Sequence, residues 1–468
     1  MHDINTLYED TIAFLMGAID YEKISKYSYD SESFNLERMK KLMDAAGNPH
    51  CSFETVHVAG TKGKGSTSNM ISSILREAKL KTGLFTSPHL VNLEERIRIN
   101  GEEISRLDLC KITDSLRPYI EKEREKDMAL SPTYFETLTA IALVYFAKEE
   151  VDIAVMEVGL GGRLDSTNIV TPLVSVITSI GFDHTDKLGS TLRLIAGEKS
   201  GIIKDRVPVV CSMQKDEALG VVQETCIKTD SRLILVDRDT LISNVRPCNR
   251  DKIYMEKENS VLGSLCDIRT KQNLYSNLVV PLPGRHQVVN CACAISAAEI
   301  VLDNIANQKP AVSGINRGEL VSRALKNIKC SGRIEVISHD PLIVVDSAHT
   351  VESICALKDT IKEYMNADNV TLMLGMCKDK NIAGVLNEIM PSVNKIIFTT
   401  TGNPRSANPE DYRDVLNTFK DKPFYTITDI SKALKLAMEI TDRSGMICVT
   451  GSTFLAGNVI TLLKKAED

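Results

Sequence analysis

The sequence has no C-x-x-C pair among its twelve cysteines, which removes the spacing that zinc ribbons and thioredoxin-like redox sites need. Only Cys291 and Cys293 lie close together. Thiols scattered from Cys51 to Cys448 are expected to be small buried apolar side chains in a reducing compartment, not a disulfide framework. Neither sign of charge is in large excess: 62 acidic against 56 basic side chains give a net charge of −6. No global field gathers polyanions, and a nucleic-acid partner is not expected. The start of the chain has no basic segment leading into an apolar one, so no secretory signal is read. The most apolar run, Leu138 to Ala147, is far shorter than the roughly 20 residues a membrane helix needs. No membrane partner and a cytoplasmic location are therefore expected. Internal repeats and low-complexity tracts are also missing.

What is present is a long chain, 468 residues with 43% hydrophobic and 25% charged side chains, enough for two or three cores. Apolar strand-like runs alternate with helical periodicity, the pattern of parallel sheets covered by helices. Thr55 to Ala59 reads as a strand, followed by a glycine-rich turn and a helix from about Ser66 to Ala78. Val151 to Val158 and Leu173 to Thr178 are nearly continuous in apolar residues, as strands buried on both faces are. A second series, Leu342 to Val345, Val370 to Leu374, Lys395 to Thr400 and Met446 to Thr450, follows the polar stretch ending at Pro310. The polar region from about Lys228 to Ser276 is expected to form short strands or excursions on the first domain. The fold expected is α/β: a domain over residues 1–306 with a mostly parallel sheet, a linker over 307–312, and a smaller Rossmann-like domain over 313–468.

Gly60-Thr61-Lys62-Gly63-Lys64-Gly65-Ser66 follows a strand and opens a helix. Backbone N–H groups, a helix N-terminus and Lys64 can then converge on a triphosphate, and glycines let the backbone approach it closely. Gly65 separates the lysine from Ser66, a variant of the common phosphate-loop pattern. The bland alternative is a flexible turn.

The segments VAGTKGKGS, TSPHL, ERIRING, YFET, EVGLGGRLDSTN, GFDHTDKLGST, EKSGIIK, PGRHQVVN, DSAHT and VTGSTFLAG occur in this order along the chain. In these segments the chain resembles the folylpolyglutamate synthase and dihydrofolate synthase family of the Mur ligase superfamily. The resemblance implies a P-loop Mur-ligase-like ATP-binding domain followed by a glutamate ligase domain. It also implies ATP-dependent addition of L-glutamate to a reduced folate, or to dihydropteroate, through an acyl phosphate. A carboxylate must then attack an equally anionic γ-phosphate, so magnesium and lysine are needed to neutralise both.

By this resemblance Gly60, Thr61, Gly63, Lys64, Gly65 and Ser66 hold the phosphates, with Asn290, Arg333 and Asp346 completing the nucleotide site. Ser87, Glu157 and His184 are the magnesium positions, with two ions expected, and Lys199 matches a lysine that is carbamylated in the family. Thr133, Tyr134, Phe135 and Glu136, with Leu164, Asp165 and Ser166, mark the pteridine and aryl site. His349 and Ser452 match positions associated with the incoming glutamate. A monomer is expected.

Each residue also has a structural reading: a strand-end carboxylate for Glu157, a capping histidine for His184, a turn residue for Ser87, a surface ion pair for Lys199, a core aromatic for Phe135, and helix surface or structural pairing for Asn290 and Arg333. Two departures stand out. Lys62 replaces an asparagine, and Asp346-Ser347-Ala348-His349-Thr350 replaces D-G-A-H-N. The competing functions are a Mur-type ligase acting on a cell-wall precursor and a non-catalytic ATP-dependent switch.

Overall fold

The computed structural model describes the chain except for residues 1–2, 25–28, 31–32, 249–261, 308, 310–311, 313, 327, 366, 368, 420 and 468. The chain divides into two compact units. The first comprises Met1–Ser243, Asp267–Ser276 and Val289–Ile328, and the second Asn244–Cys266, Asn277–Val288 and Lys329–Asp468. Residues 307–312 fall inside the last stretch of the first unit.

The first unit is built on an eight-stranded sheet. Its strands are β1 (Glu54–Ala59), β2 (Thr82–Phe85), β3 (Ile97–Ile99), β4 (Glu102–Glu103), β5 (Ile153–Glu157), β6 (Val174–Ile177), β7 (Val209–Cys211) and β8 (Leu233–Leu235). They lie in the order β4-β3-β2-β5-β1-β6-β7-β8. All neighbours are parallel except β2–β3 and β3–β4. β1 lies between β5 and β6, with Val56 opposite Val155 on one side and Val174 on the other. Helices cover both faces, so β5 and β6 are buried throughout and β1 from its second residue on. This explains their unbroken apolar runs. One face packs residues such as Phe85, Leu138, Phe146 and Met156, the other Ile177, Ile195, Ile202 and Val222.

The polar region Lys228 to Ser276 is more regular than its composition suggests. It supplies β8 and, with the residues just after it, a three-stranded sheet of β9 (Leu241–Cys248), β10 (Gly263–Arg269) and β11 (Leu274–Val280) in the order β11-β10-β9. It is also not an excursion on the first unit alone, since Asn244–Cys266 groups with the second. Leu262 packs on the second unit's apolar cluster, and the hydroxyls of Ser264 and Tyr364 hydrogen-bond at 2.8 Å.

The second unit holds a six-stranded sheet of β12 (Glu335–His339), β13 (Leu342–Val345), β14 (Val370–Leu374), β15 (Lys395–Thr399), β16 (Phe424–Ile427) and β17 (Met446–Thr450). The order is β12-β13-β17-β14-β15-β16, parallel but for the β12–β13 pair. β13, β14 and β17 are fully buried.

Among the described residues one helix, Arg285–Ile305, is long and apolar enough to cross a membrane, and 78% of its apolar window is buried inside the protein. Alanines and cysteines such as Cys291, Ala292, Cys293 and Ala294 make it a close-packed core helix.

Candidate functional site

In an open α/β sheet the ligand crevice lies beyond the carboxyl ends of the strands. Here β1, β5 and β6 deliver Gly60, Glu157 and Thr178 to one end of the first sheet. The helix after β1 runs Lys64–Glu77, two residues earlier than the periodicity suggests. Lys64, Gly65 and Ser66 therefore form its first turn, where backbone N–H groups have no intrahelical acceptor. Gly63 caps it at φ +88°. A Cβ there would stand 2.3 Å from Asn290 Oδ1, and one on Gly60 would stand 1.8 Å from Thr178 Oγ1. These two glycines keep the loop pressed against its neighbours, one of which is Asn290.

The segment after β6 clasps the phosphate loop. The backbone N–H groups of Thr61 and Lys62 donate to the Ser179 carbonyl at 2.8 and 3.1 Å. Thr61 Oγ1 donates to the Gly181 carbonyl and accepts from the Gly181 N–H, each at 3.1 Å. Lys62 Nζ donates to Asp183 Oδ2 at 2.9 Å.

Glu157 closes β5 and is 3% exposed. Its Oε2 accepts the Ser87 N–H at 3.3 Å and would lie 3.6 Å from a Cβ on Gly65, so Ser87 and Glu157 share the border of the phosphate loop. His184 follows Asp183 with a left-handed backbone, φ +50°, at the start of the short helix Thr185–Leu188. The described residues contain no cluster of three or more His, Cys, Asp or Glu side chains that could hold a metal. The expected set instead combines a hydroxyl and a carboxylate with one histidine, and oxygen ligands from Ser87 and Glu157, whose backbone N–H and side chain meet, suit a hard cation that keeps several of its waters.

Lys199 belongs to the helix Leu192–Ser200 and is 4% exposed, so it is no surface ion-pair residue. Its Nζ donates to the Gly60 carbonyl at 3.0 Å. Burial first, then the neighbouring Lys64 charge, pull its pKa from 10.5 down to about 7. Its neighbour Glu198 takes the surface role, pairing with Arg163 at 3.0 Å.

The expected pteridine-site residues divide between surroundings. Thr133 caps the helix Tyr134–Lys148 and forms a capping box with Glu136. Glu136 is further held by a buried ion pair to Arg38. Tyr134 is 2% exposed and lies under the Arg96 guanidinium. The Phe135 ring packs against Phe85 at 5.7 Å between centroids, and a Cβ on Gly159 would meet it at 2.5 Å. Asp165 is buried, with Oδ2 accepting the N–H groups of Gly159 and Leu160 and Oδ1 that of Thr167. Burial raises its pKa while these bonds oppose the rise. Ser166 Oγ lies 2.7 Å from Thr139 Oγ1. The Leu164 N–H reaches the Tyr29 hydroxyl at 3.4 Å. Tyr29 is a residue that sequence reasoning missed, since no motif marks a tyrosine 135 positions away as the partner of this loop.

In the second unit Asp346 follows β13 and is 7% exposed. Its Oδ2 accepts the Ile334 N–H at 3.0 Å and its Oδ1 the Ala348 N–H at 2.8 Å. Burial raises its pKa and the Arg333 charge opposes that. His349 Nδ1 lies 2.8 Å from the Ser347 carbonyl, which assigns the proton to Nδ1. Ser452 follows β17, the strand beside β13, and its Oγ accepts the Phe454 N–H at 3.1 Å. The two departures in this loop are accommodated locally. Ser347 is not among the residues with positive φ, so no glycine is required there. Thr350 caps the helix Val351–Thr360 by accepting the Ser353 N–H.

Residues 58–298 match the Mur ligase middle domain and residues 332–453 the Mur ligase glutamate ligase domain. The dihydrofolate synthase/folylpolyglutamate synthase of Bacillus subtilis is 31% identical over 98% of this chain and 100% of its own length. The folylpolyglutamate synthase of Mycobacterium tuberculosis complexed with ADP superposes with a TM-score of 0.87 at 26% identity, covering 98% of this chain and 99% of that one. An FPGS–AMPPCP–folate complex gives 0.77 at 29% identity, covering 97% and 99%.

Proposed function

The chain belongs to the folylpolyglutamate and dihydrofolate synthase family of Mur ligases, and from that premise we propose that it uses ATP to join L-glutamate to the carboxylate of a reduced folate. The observation that carries this reading is the convergence on one phosphate loop of Glu157 beside Ser87, the Gly181–His184 segment and the buried Lys199. A simple nucleotide switch has no need of that set.

The chemistry follows from charge. The substrate carboxylate attacks the γ-phosphorus, ADP leaves, and an acyl phosphate remains. The glutamate amine then adds to the acyl carbon, loses a proton, and the tetrahedral intermediate expels inorganic phosphate. Lys64 and the first-turn N–H groups of helix Lys64–Glu77 hold the phosphates in line. Ser87, Glu157 and His184 would hold Mg²⁺, with two ions expected, and the bound metal offsets the negative charge of two anions brought together. Arg333 and Asp346 serve the nucleotide, and His349 and Ser452 the incoming glutamate.

Lys199 acts as a carbamate: its ammonium first loses a proton, the neutral amine attacks CO₂, forming an N–C bond and releasing a second proton, and the former cation is then an anion. Support comes from its burial and depressed pKa, which leave an appreciable neutral fraction at pH 7. Dihydropteroate is a second acceptor, as the name of the Bacillus subtilis relative includes that activity. One copy of the chain in the cytoplasm suffices.

The test is phosphate release with ATP, Mg²⁺ and L-glutamate, offering tetrahydrofolate, dihydropteroate or a muropeptide precursor in turn. Release with tetrahydrofolate is expected. Release with the muropeptide precursor alone makes the chain a cell-wall ligase, and release with none of the three removes the ligase reading.

A further inference from the structure

The phosphate loop carries a side chain with no part in the mechanism above. Lys62 stands between Thr61 and Gly63, and its Nζ reaches Asp183 Oδ2 at 2.9 Å, with the lysine side chain 28% and the aspartate 10% exposed. The second oxygen of the same carboxylate, Asp183 Oδ1, accepts the backbone N–H of His184 at 3.0 Å. Asp183 therefore joins the phosphate loop to the main chain of His184 through its two oxygens.

His184 needs such a hold. Its φ of +50° is a conformation that residues with a Cβ adopt rarely and at a cost, and the helix it opens is only four residues long. Other bonds between the loop and this segment reach Ser179 and Gly181. The Lys62–Asp183 pair carries the clasp to the residue before His184.

We propose that Lys62 is a positioning residue, which through Asp183 fixes the backbone of His184 against the phosphate loop before any nucleotide binds. The inference rests on the reading of His184 as a member of the ligase site, but its test does not need turnover. Lys62 contributes here as a tether within the protein, and Lys64 remains the residue that serves phosphate.

Hydrogen–deuterium exchange of the ligand-free full chain reads the tether directly. In Lys62→Met, amides of residues 181–188 are expected to lose about five- to tenfold of their protection, as for a partly buried ion pair, while those of residues 66–75 stay unchanged. Lys62→Arg, which keeps the charge, should restore it. ADP binding measured calorimetrically in EDTA should change by less than about threefold in Lys62→Met. With tetrahydrofolate as acceptor, kcat should fall more than the KM for ATP rises. Unchanged exchange at 181–188 overturns the proposal, and so does a loss of ADP affinity of about tenfold or more without a change in exchange, which makes Lys62 a phosphate ligand. A wild-type protein that exchanges as expected yet releases no phosphate with any acceptor leaves the tether standing and removes the ligase reading.

Discussion

Arg38 grips Glu136 in a two-point ion pair, Nε to Oε2 and Nη2 to Oε1, each at 2.7 Å and nearly out of reach of solvent. Two of the three remaining N–H groups of the guanidinium donate to the carbonyls of Ala129 and Ser33, and Glu136 Oε2 also takes the Thr133 N–H. Each guanidinium nitrogen and each carboxylate oxygen in this knot has a partner, the condition under which a buried pair is tolerated.

Removing one member leaves the other charged and buried. Arg38→Met is expected to lower folding stability by about 3 kcal/mol, read as a drop in the urea midpoint. A loss below about 1 kcal/mol would mean that water or another cation replaces the guanidinium.

Lys64→Ala should reduce ligation by a factor on the order of 10² to 10⁴, the loss of a charge that aligns the phosphates. Steady-state phosphate release checks this, and near wild-type turnover would remove the phosphate-loop assignment.

Gly63→Ala should be more damaging than Gly65→Ala, whose new methyl would come no closer than 3.6 Å to Glu157 Oε2. The backbone there has φ +88° and the new methyl would fall 2.3 Å from Asn290 Oδ1. ADP affinity measured by calorimetry should drop about tenfold or more, roughly 1.4 kcal/mol, whereas the far-ultraviolet circular dichroism stays native.

The Lys199 amine predicts a pH dependence whose sign can be worked out. Its pKa is about 7 in the folded protein against 10.5 without it, so above pH 7 the unfolded chain binds one more proton than the native state. Stability from this group therefore rises with pH from about 7 towards 10 and is flat below 7, where both states are protonated. In CO₂-free buffer, the wild type should gain about 2 kcal/mol between pH 7 and 8.5 relative to Lys199→Met. Added bicarbonate should raise stability further without flattening that gain, because forming the carbamate from the ammonium of the unfolded chain and bicarbonate still releases a proton. Lys199→Ala should lose most activity and recover part of it with short-chain carboxylates; full activity without them returns Lys199 to a structural role.

The buried central strands were legible because both faces are covered: β13, β14 and β17 match the expected segments residue for residue. β12 and β16 were not, as edge strands whose residues are half buried or exposed lack the apolar run. β10 alternates buried and partly buried residues over Ser264 to Arg269, a period-two signal that its polar composition concealed. At the candidate site, motif order singled out Lys64, Glu157 and Lys199 for their proposed roles, but the partners that hold side chains in place were out of reach. Gly60 and Lys199 are 139 positions apart, Arg38 and Glu136 98, and no local pattern encodes such pairs. Lys62 was visible only as a departure from the family pattern; its carboxylate partner required the fold.

The course of the chain through its two units has a consequence for biosynthesis. It changes unit at 243/244, 266/267, 276/277, 288/289 and 328/329, so the first unit lacks its last stretch until Ile328 has been translated and has left the ribosome. The nascent protein must carry residues 244–266 and 277–288, which belong to the second unit, before most of that unit exists. Completing either core thus waits for late translation, and a gene cut at any single codon between 243 and 329 would encode two fragments that each miss part of a core.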